Sequence, residues 1–188
     1  HTPRRLRIFL PDAAYLVLFR DGRDVVVSWT YNALARSEHW VVPAHTRPLF
    51  DAHLPRFHAN PKGPEAHAAA QALLSHEPWI RHVARQWASH VRDDLDGVAR
   101  IRSGELPGQV HTLRYEELHA DTQSHRDQIY RFLNLNPAEA APLDPASRTT
   151  PGFKSEDPAS HFRRGQVGDW KTKLPPKAVG WIQDCLLY

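Results

Sequence analysis

Two arginines, two glycines and an Asp-Trp-Lys run fall within one short stretch of this chain, Phe162-Arg163-Arg164-Gly165-Gln166-Val167-Gly168-Asp169-Trp170-Lys171. Glycines at 165 and 168 permit positive φ, which turns successive backbone N–H groups into a concave anion nest, and Arg163 and Arg164 add forked, permanently charged donors. Trp170 supplies an apolar anchor for such a loop. A second charged cluster, Arg20-Asp21-Gly22-Arg23-Asp24, follows the apolar run Ala14–Phe19 and precedes Val25-Val26-Val27-Ser28-Trp29. The run reads as a buried strand, the cluster as a strand-to-helix turn, and the stretch after it as a helix that Asp21 or Asp24 can cap. Arg20 at the strand end and Ser28 near the helix start then converge on one anion. Taken singly, each segment also has a structural reading: Arg20 paired with Asp24, Ser28 packed in its helix, and the later loop a turn stapled by Trp170.

Taken together and in this order, the segments resemble the cytosolic-type sulfotransferases. The loop is similar to their signature Arg-Lys/Arg-Gly-x-x-Gly-Asp-Trp-Lys, which implies that Arg163, Arg164 and Gly165 hold the 3′-phosphate of the sulfate donor 3′-phosphoadenosine 5′-phosphosulfate (PAPS). Arg20, Asp24 and Ser28 fit the family spacing Arg-x-x-x-Asp-x-x-x-Ser, which implies that Arg20 and Ser28 bind the same phosphate. His111-Thr112-Leu113-Arg114-Tyr115-Glu116-Glu117-Leu118 resembles the strand that ends in Tyr-Glu-Asp-Leu, and by that resemblance Tyr115 lies near the adenine. Gln128–Leu135 resembles the helix that ends in Phe-Leu-Gly-Leu, with Asn134, which tolerates a left-handed cap, in place of the glycine. His1-Thr2-Pro3 resembles the Lys-Thr-His-x-Pro element, so the implied general base is His1, and histidine titrates in the range such a base needs.

The resemblance implies in-line transfer of a sulfuryl group from PAPS to a hydroxyl or amine of a small-molecule or glycan acceptor. The moving group carries little charge, so no metal is expected. The implied fold is α/β, a parallel sheet flanked by helices of the P-loop nucleotide-kinase-like sulfotransferase type, N-terminally incomplete. The family's loop of the form Pro-Lys-Ser-Gly-Thr-Thr-Trp, which cradles the 5′-phosphosulfate, is not found in these 188 residues, and the sequence contains no methionine. An upstream segment is expected, and this stretch by itself is expected to be inactive.

The elements that must position these residues follow from periodicity. The whole of 1–188 reads as one sulfotransferase domain, cut short at the N-terminus and also at the C-terminus. Residues 36–78, rich in proline and histidine, read as irregular structure with one alanine-rich helix from Glu65 to Leu74; by resemblance this is an acceptor-side insertion. Trp79 to Ser103 reads as a helix, because Ile80, Val83, Trp87, Val91, Leu95 and Val98 recur at three- and four-residue spacing and form a core stripe. A strand at Gln109–Leu113 and a helix at Thr122–Leu133 follow, then a Pro/Ser-rich loop over Pro142–His161, then a helix over Lys177–Tyr188. Two β-runs joined by a long helical crossover should be parallel.

Composition narrows the alternatives. With 41% hydrophobic residues and six tryptophans the chain can bury a core. The net charge of +3 is spread among 21 acidic residues, without the basic runs of a nucleic-acid binder, so no nucleic-acid partner is expected. Thirteen histidines, among them His53, His58, His67, His76, His82 and His90, show no ligand spacing for a metal. One cysteine, Cys185, suits a reducing, cytoplasmic location and a buried position, and no apolar run is long enough to span a bilayer. Trp29, Tyr31, Trp40, Phe50 and Phe57 are available to line an acceptor pocket. Two further readings stay open: a non-catalytic remnant that binds 3′-phosphoadenosine nucleotides, and a basic nucleic-acid-binding or scaffold protein. Neither the acceptor nor the oligomeric state is legible.

Overall fold

The computed structural model describes residues 12–140, 156–159, 163 and 165–186. In chain order the elements are β1 (Ala14–Phe19), α1 (Gly22–Ala35), α2 (Arg47–Ala59), α3 (Pro64–Leu74), α4 (Glu77–Arg102), β2 (Gln109–Arg114), α5 (Tyr115–Ala120), α6 (Thr122–Phe132), α7 (Trp170–Lys173) and α8 (Pro176–Leu186), with 3₁₀ turns at Ser37–His39 and Pro137–Glu139. The chain divides into two compact units. One comprises the described residues of 1–21 and 88–144, the other those of 22–87 and 145–188. Among the described residues no helix is long and apolar enough to cross a membrane.

The first unit is built on a parallel pair of strands, β1 and β2, in register from Ala14 opposite Gln109 to Phe19 opposite Arg114. The β-prone run therefore does form a strand, but only one of its faces is covered by described residues. Tyr15 packs with Ile101 of α4 and Leu106, whereas Leu16 and Leu18, on the alternate face, are 46% and 52% exposed. Strand side chains alternate, so a continuous apolar run is buried on both faces only where both are covered. On β2 the His111 ring stacks on Phe132 of α6 at 5.4 Å. The Tyr-Glu-Glu-Leu segment opens a helix at once: α5 starts at Tyr115, directly after β2. Asp121 closes α5 and caps α6, its carboxylate accepting the Ser124 N–H at 3.0 Å. At the far end of α6, Asn134 takes the left-handed conformation (φ 57°), while Leu135 N–H donates to Tyr130 C=O and Asn134 N–H to Arg131 C=O, the Schellman closure for which asparagine can replace glycine.

The second unit holds the larger core. Val26, Val27, Tyr31, Ala33 and Leu34 of α1 pack with Phe50 and Phe57 of α2, the alanine and leucine face of α3, Trp79, Ile80, Val83 and Ala84 of α4, and Ala178, Ile182 and Cys185 of α8. The buried Thr30 hydroxyl is accounted for twice: Oγ1 donates to Val26 C=O at 2.8 Å and accepts from Trp79 Nε1 at 2.9 Å.

Three expectations are corrected here. Residues 36–78 are not largely irregular, since α2 and α3 occupy most of them. Pro48 and Pro64 sit in the first turns of these helices, where a missing N–H costs nothing, and only Pro55 interrupts a helix interior. The apolar stripe of α4 is core only in part: Ile80, Val83 and Val98 are buried, but Leu95 is 50% exposed. A helix of 26 residues is about 39 Å long, and its apolar face meets a core only near its ends. Among the aromatics, Tyr31, Phe50 and Phe57 are fully buried in the core, while Trp29 and Trp40 are partly buried and meet edge-on at 5.5 Å. Most of the Pro142–His161 loop lies outside the described residues.

Candidate functional site

In the second unit the two glycines adopt the conformation their positions require, with φ of 61° at Gly165 and 79° at Gly168. The nest they open is partly filled by the chain itself. Asp24, in the acidic first turn of α1 and only 2% exposed, accepts the Gly168 N–H at 2.7 Å through one oxygen and the Trp170 N–H at 3.0 Å through the other. A carboxylate expected to cap its own helix or to pair with Arg20 thus takes up backbone amides 144 and 146 residues away. Beside it, the Arg23 guanidinium lies 3.9 Å from the centroid of the Trp170 ring, which also packs against the core. Trp170 is the anchor its sequence context suggests. Ser28 is half-buried on α1, one helical turn after Asp24 and on the same face.

Arg163 is buried and ion-paired with the carboxylates of Glu156 and Asp169. Its guanidinium lies over the Tyr31 ring at 4.4 Å. Burial by itself depresses its pKa, but the hydrogen bond and charge of Asp169 together with the charge of Glu156 outweigh that and hold it above the ordinary arginine value. Lys173 Nζ reaches Glu156 at 3.2 Å, and Gln71 Nε2 donates to the Lys173 carbonyl at 2.8 Å. The Tyr31 hydroxyl shares a 3.0 Å hydrogen bond with His67 Nδ1. His67 is held below the usual histidine pKa by burial first and by the Lys173 charge second. Neutral imidazole is the form that suits this basic neighbourhood.

In the first unit the register places the C-terminal ends of β1 and β2 side by side. Arg20 follows one strand and Tyr115 the other, and the Arg20 guanidinium lies 4.6 Å from the centroid of the Tyr115 ring. Glu116 Oε1 accepts the Asp21 N–H at 2.8 Å, which ties the turn after β1 to the start of α5. The carboxyl ends of parallel strands are where open α/β sheets take ligands. Arg20 and Tyr115 are therefore brought together within one unit, while Ser28, Arg163 and Gly165 belong to the other. His1 and Arg164 lie outside the described residues. Among the described residues no group of three or more His, Cys, Asp or Glu side chains is arranged to hold a metal ion.

The sequence offers Asp24 as a partner for Arg20 or a cap for its own helix, and does not single out Glu116, Glu156 or Asp169 as partners. Asp24 carried a signal, its place in the Arg-x-x-x-Asp-x-x-x-Ser spacing, but its hydrogen-bond donors lie too far along the chain for spacing to identify them.

The family model described as "Sulfotransferase domain" matches residues 1–186 of the chain. No curated protein and no solved structure matches it.

Proposed function

The chain belongs to the sulfotransferase domain family, which makes it a transferase of sulfuryl groups, and from that membership we propose that its donor is PAPS and its acceptor a hydroxyl or amine of a small molecule or glycan. In this reading Arg20, Ser28, Arg163, Arg164 and Gly165 address the 3′-phosphate and Tyr115 the adenine. The acceptor oxygen or nitrogen attacks sulfur, the bond from sulfur to the bridging phosphate oxygen breaks, and His1 takes the acceptor proton. Residues 36–78 serve the acceptor side. The free thiol of Cys185 suits the reducing cytoplasm, where this reading puts the enzyme.

The observation that carries the reading is the loop of the second unit. Gly165 holds a left-handed conformation, the kind of backbone geometry from which anion nests are built, and the loop is fastened by Asp24 within hydrogen-bonding distance of two of its amides. A loop fixed in this way loses little entropy when an anion binds.

The test is calorimetry with two nucleotides. Adenosine 3′,5′-bisphosphate should bind far more tightly than adenosine 5′-monophosphate, because each charge-assisted contact to the extra phosphate is worth about 1.5–3 kcal/mol. Arg164→Ala should remove much of that preference. In a sulfate-transfer assay with a phenol or sugar acceptor, His1→Ala should lower turnover by about 10²–10⁴ with nucleotide affinity unchanged. Equal affinities for the two nucleotides would overturn the donor assignment, and tight, salt-sensitive RNA binding in their place would favour the nucleic-acid reading.

A further inference from the structure

A carboxylate buried to 2% exposure is stable as an anion only if its lone pairs are met by donors. At Asp24 both oxygens are met by main-chain amides of one distant loop, Gly168 N–H at 2.7 Å and Trp170 N–H at 3.0 Å. The neighbouring side chain, Arg23, stacks on the Trp170 ring at 3.9 Å. The first turn of α1 therefore grips the loop by its backbone and by its ring. Four residues after Asp24, on the same helix face, stands Ser28. Three residues before Gly168, about 10 Å of chain at most, stands Gly165 with its left-handed backbone. On the loop's other side Arg163 is moored to Glu156 and Asp169. The segment bearing the anion donors is thus held at both ends, and one of the two holds comes from the helix that carries Ser28.

We propose that Asp24 is a positioning residue that sets the spacing between the Ser28 hydroxyl and the Gly165 backbone, so that both reach one phosphate without rearrangement. The proposal rests on the donor-binding reading above and extends it: the 3′-phosphate preference depends on a carboxylate that never touches the nucleotide. Removing Asp24 leaves two loop amides without their acceptor and frees the loop from α1, and the cost of ordering the loop is then charged to ligand binding.

The experiment compares wild type with Asp24→Ala, Asp24→Asn and a core truncation, Val83→Ala, that lowers stability without touching the loop. The readouts are the ratio of dissociation constants for adenosine 5′-monophosphate and adenosine 3′,5′-bisphosphate, and amide hydrogen exchange at Gly168 and Trp170. Asp24→Ala should shrink the ratio roughly tenfold or more and speed exchange at both amides. Asp24→Asn keeps one acceptor oxygen and should fall between it and wild type. Val83→Ala should keep the wild-type ratio despite its lower melting temperature. A ratio in Asp24→Ala equal to wild type, or unchanged exchange at both amides, overturns the proposal. A wild type with no preference for the bisphosphate overturns the donor reading instead, and the exchange data then decide whether Asp24 holds the loop.

Discussion

At Arg163 a guanidinium that any phosphate would attract is already ringed by partners, with Glu156 and Asp169 as counter-ions and the Tyr31 ring against its face. Asp169 is itself almost completely buried and Glu156 partly so. A buried ion pair contributes little net stability, but removing one partner strands the other charge. Arg163→Ala should therefore destabilise the nucleotide-free protein by about 3–5 kcal/mol in urea unfolding. Arg164→Ala, whose proposed role is to meet the ligand, should leave the nucleotide-free midpoint where it was. An Arg163→Ala midpoint equal to wild type would show that the buried pairs do not support the loop. Arg163 thus has partners within the protein before any ligand arrives, so its proposed contact with the phosphate comes on top of a structural role.

Among the elements, the α5–α6 junction shows local chemistry deciding a boundary. Asp121 ends one helix with a non-helical backbone and caps the next through Ser124 N–H. Asp121→Ala should cost about 0.5–2 kcal/mol, read as a shift in unfolding midpoint, and Asp121→Asn, which keeps the acceptor, should recover most of it. A loss shared equally by both variants would mean that charge rather than capping matters there. The same reasoning explains why residues 36–78 form helices despite their prolines. A proline reads as a breaker in a list of residues, yet in the first turn of α2 or α3 it is a helix starter, and whether it occupies that turn depends on where the preceding chain lets the helix begin.

For the molecule as a whole, three histidines of the second unit connect stability to pH. His67 is depressed by burial and then by Lys173, His76 by burial and then by His45, and His82 by burial, with a backbone hydrogen bond at Val41 opposing and His45 adding to the effect. Each has a folded pKa below its unfolded value, so the unfolded chain binds more protons as the pH drops. The stability these groups contribute is complete above the unfolded histidine pKa and is lost as pH falls through the lowered folded values. The melting temperature should decline as pH is taken from about 7 to about 5, before most carboxylates titrate. Replacing all three histidines by glutamine should flatten that limb, and a limb of unchanged slope in the triple variant would assign the acid sensitivity to other groups.

Amino-acid order by itself determined the local features: the strand at Ala14–Phe19, the long helix near Glu77–Arg102, the left-handed Asn134, and the positive φ of Gly165 and Gly168. These depend on steric rules and periodicities that act within a few residues. The motif segments and their family were legible for the same reason, since each is contiguous in sequence. What only the tertiary structure decided is where each polar group finds its partner. Gly168 and Trp170 donate to Asp24, Glu116 receives Asp21 N–H, Arg163 is enclosed by Glu156 and Asp169, and Tyr31, Phe50 and Phe57 enter the core. A hydrogen bond or ion pair is selected by distance in space, and a side chain's type states what it can bind without stating which group the folded chain will bring to it.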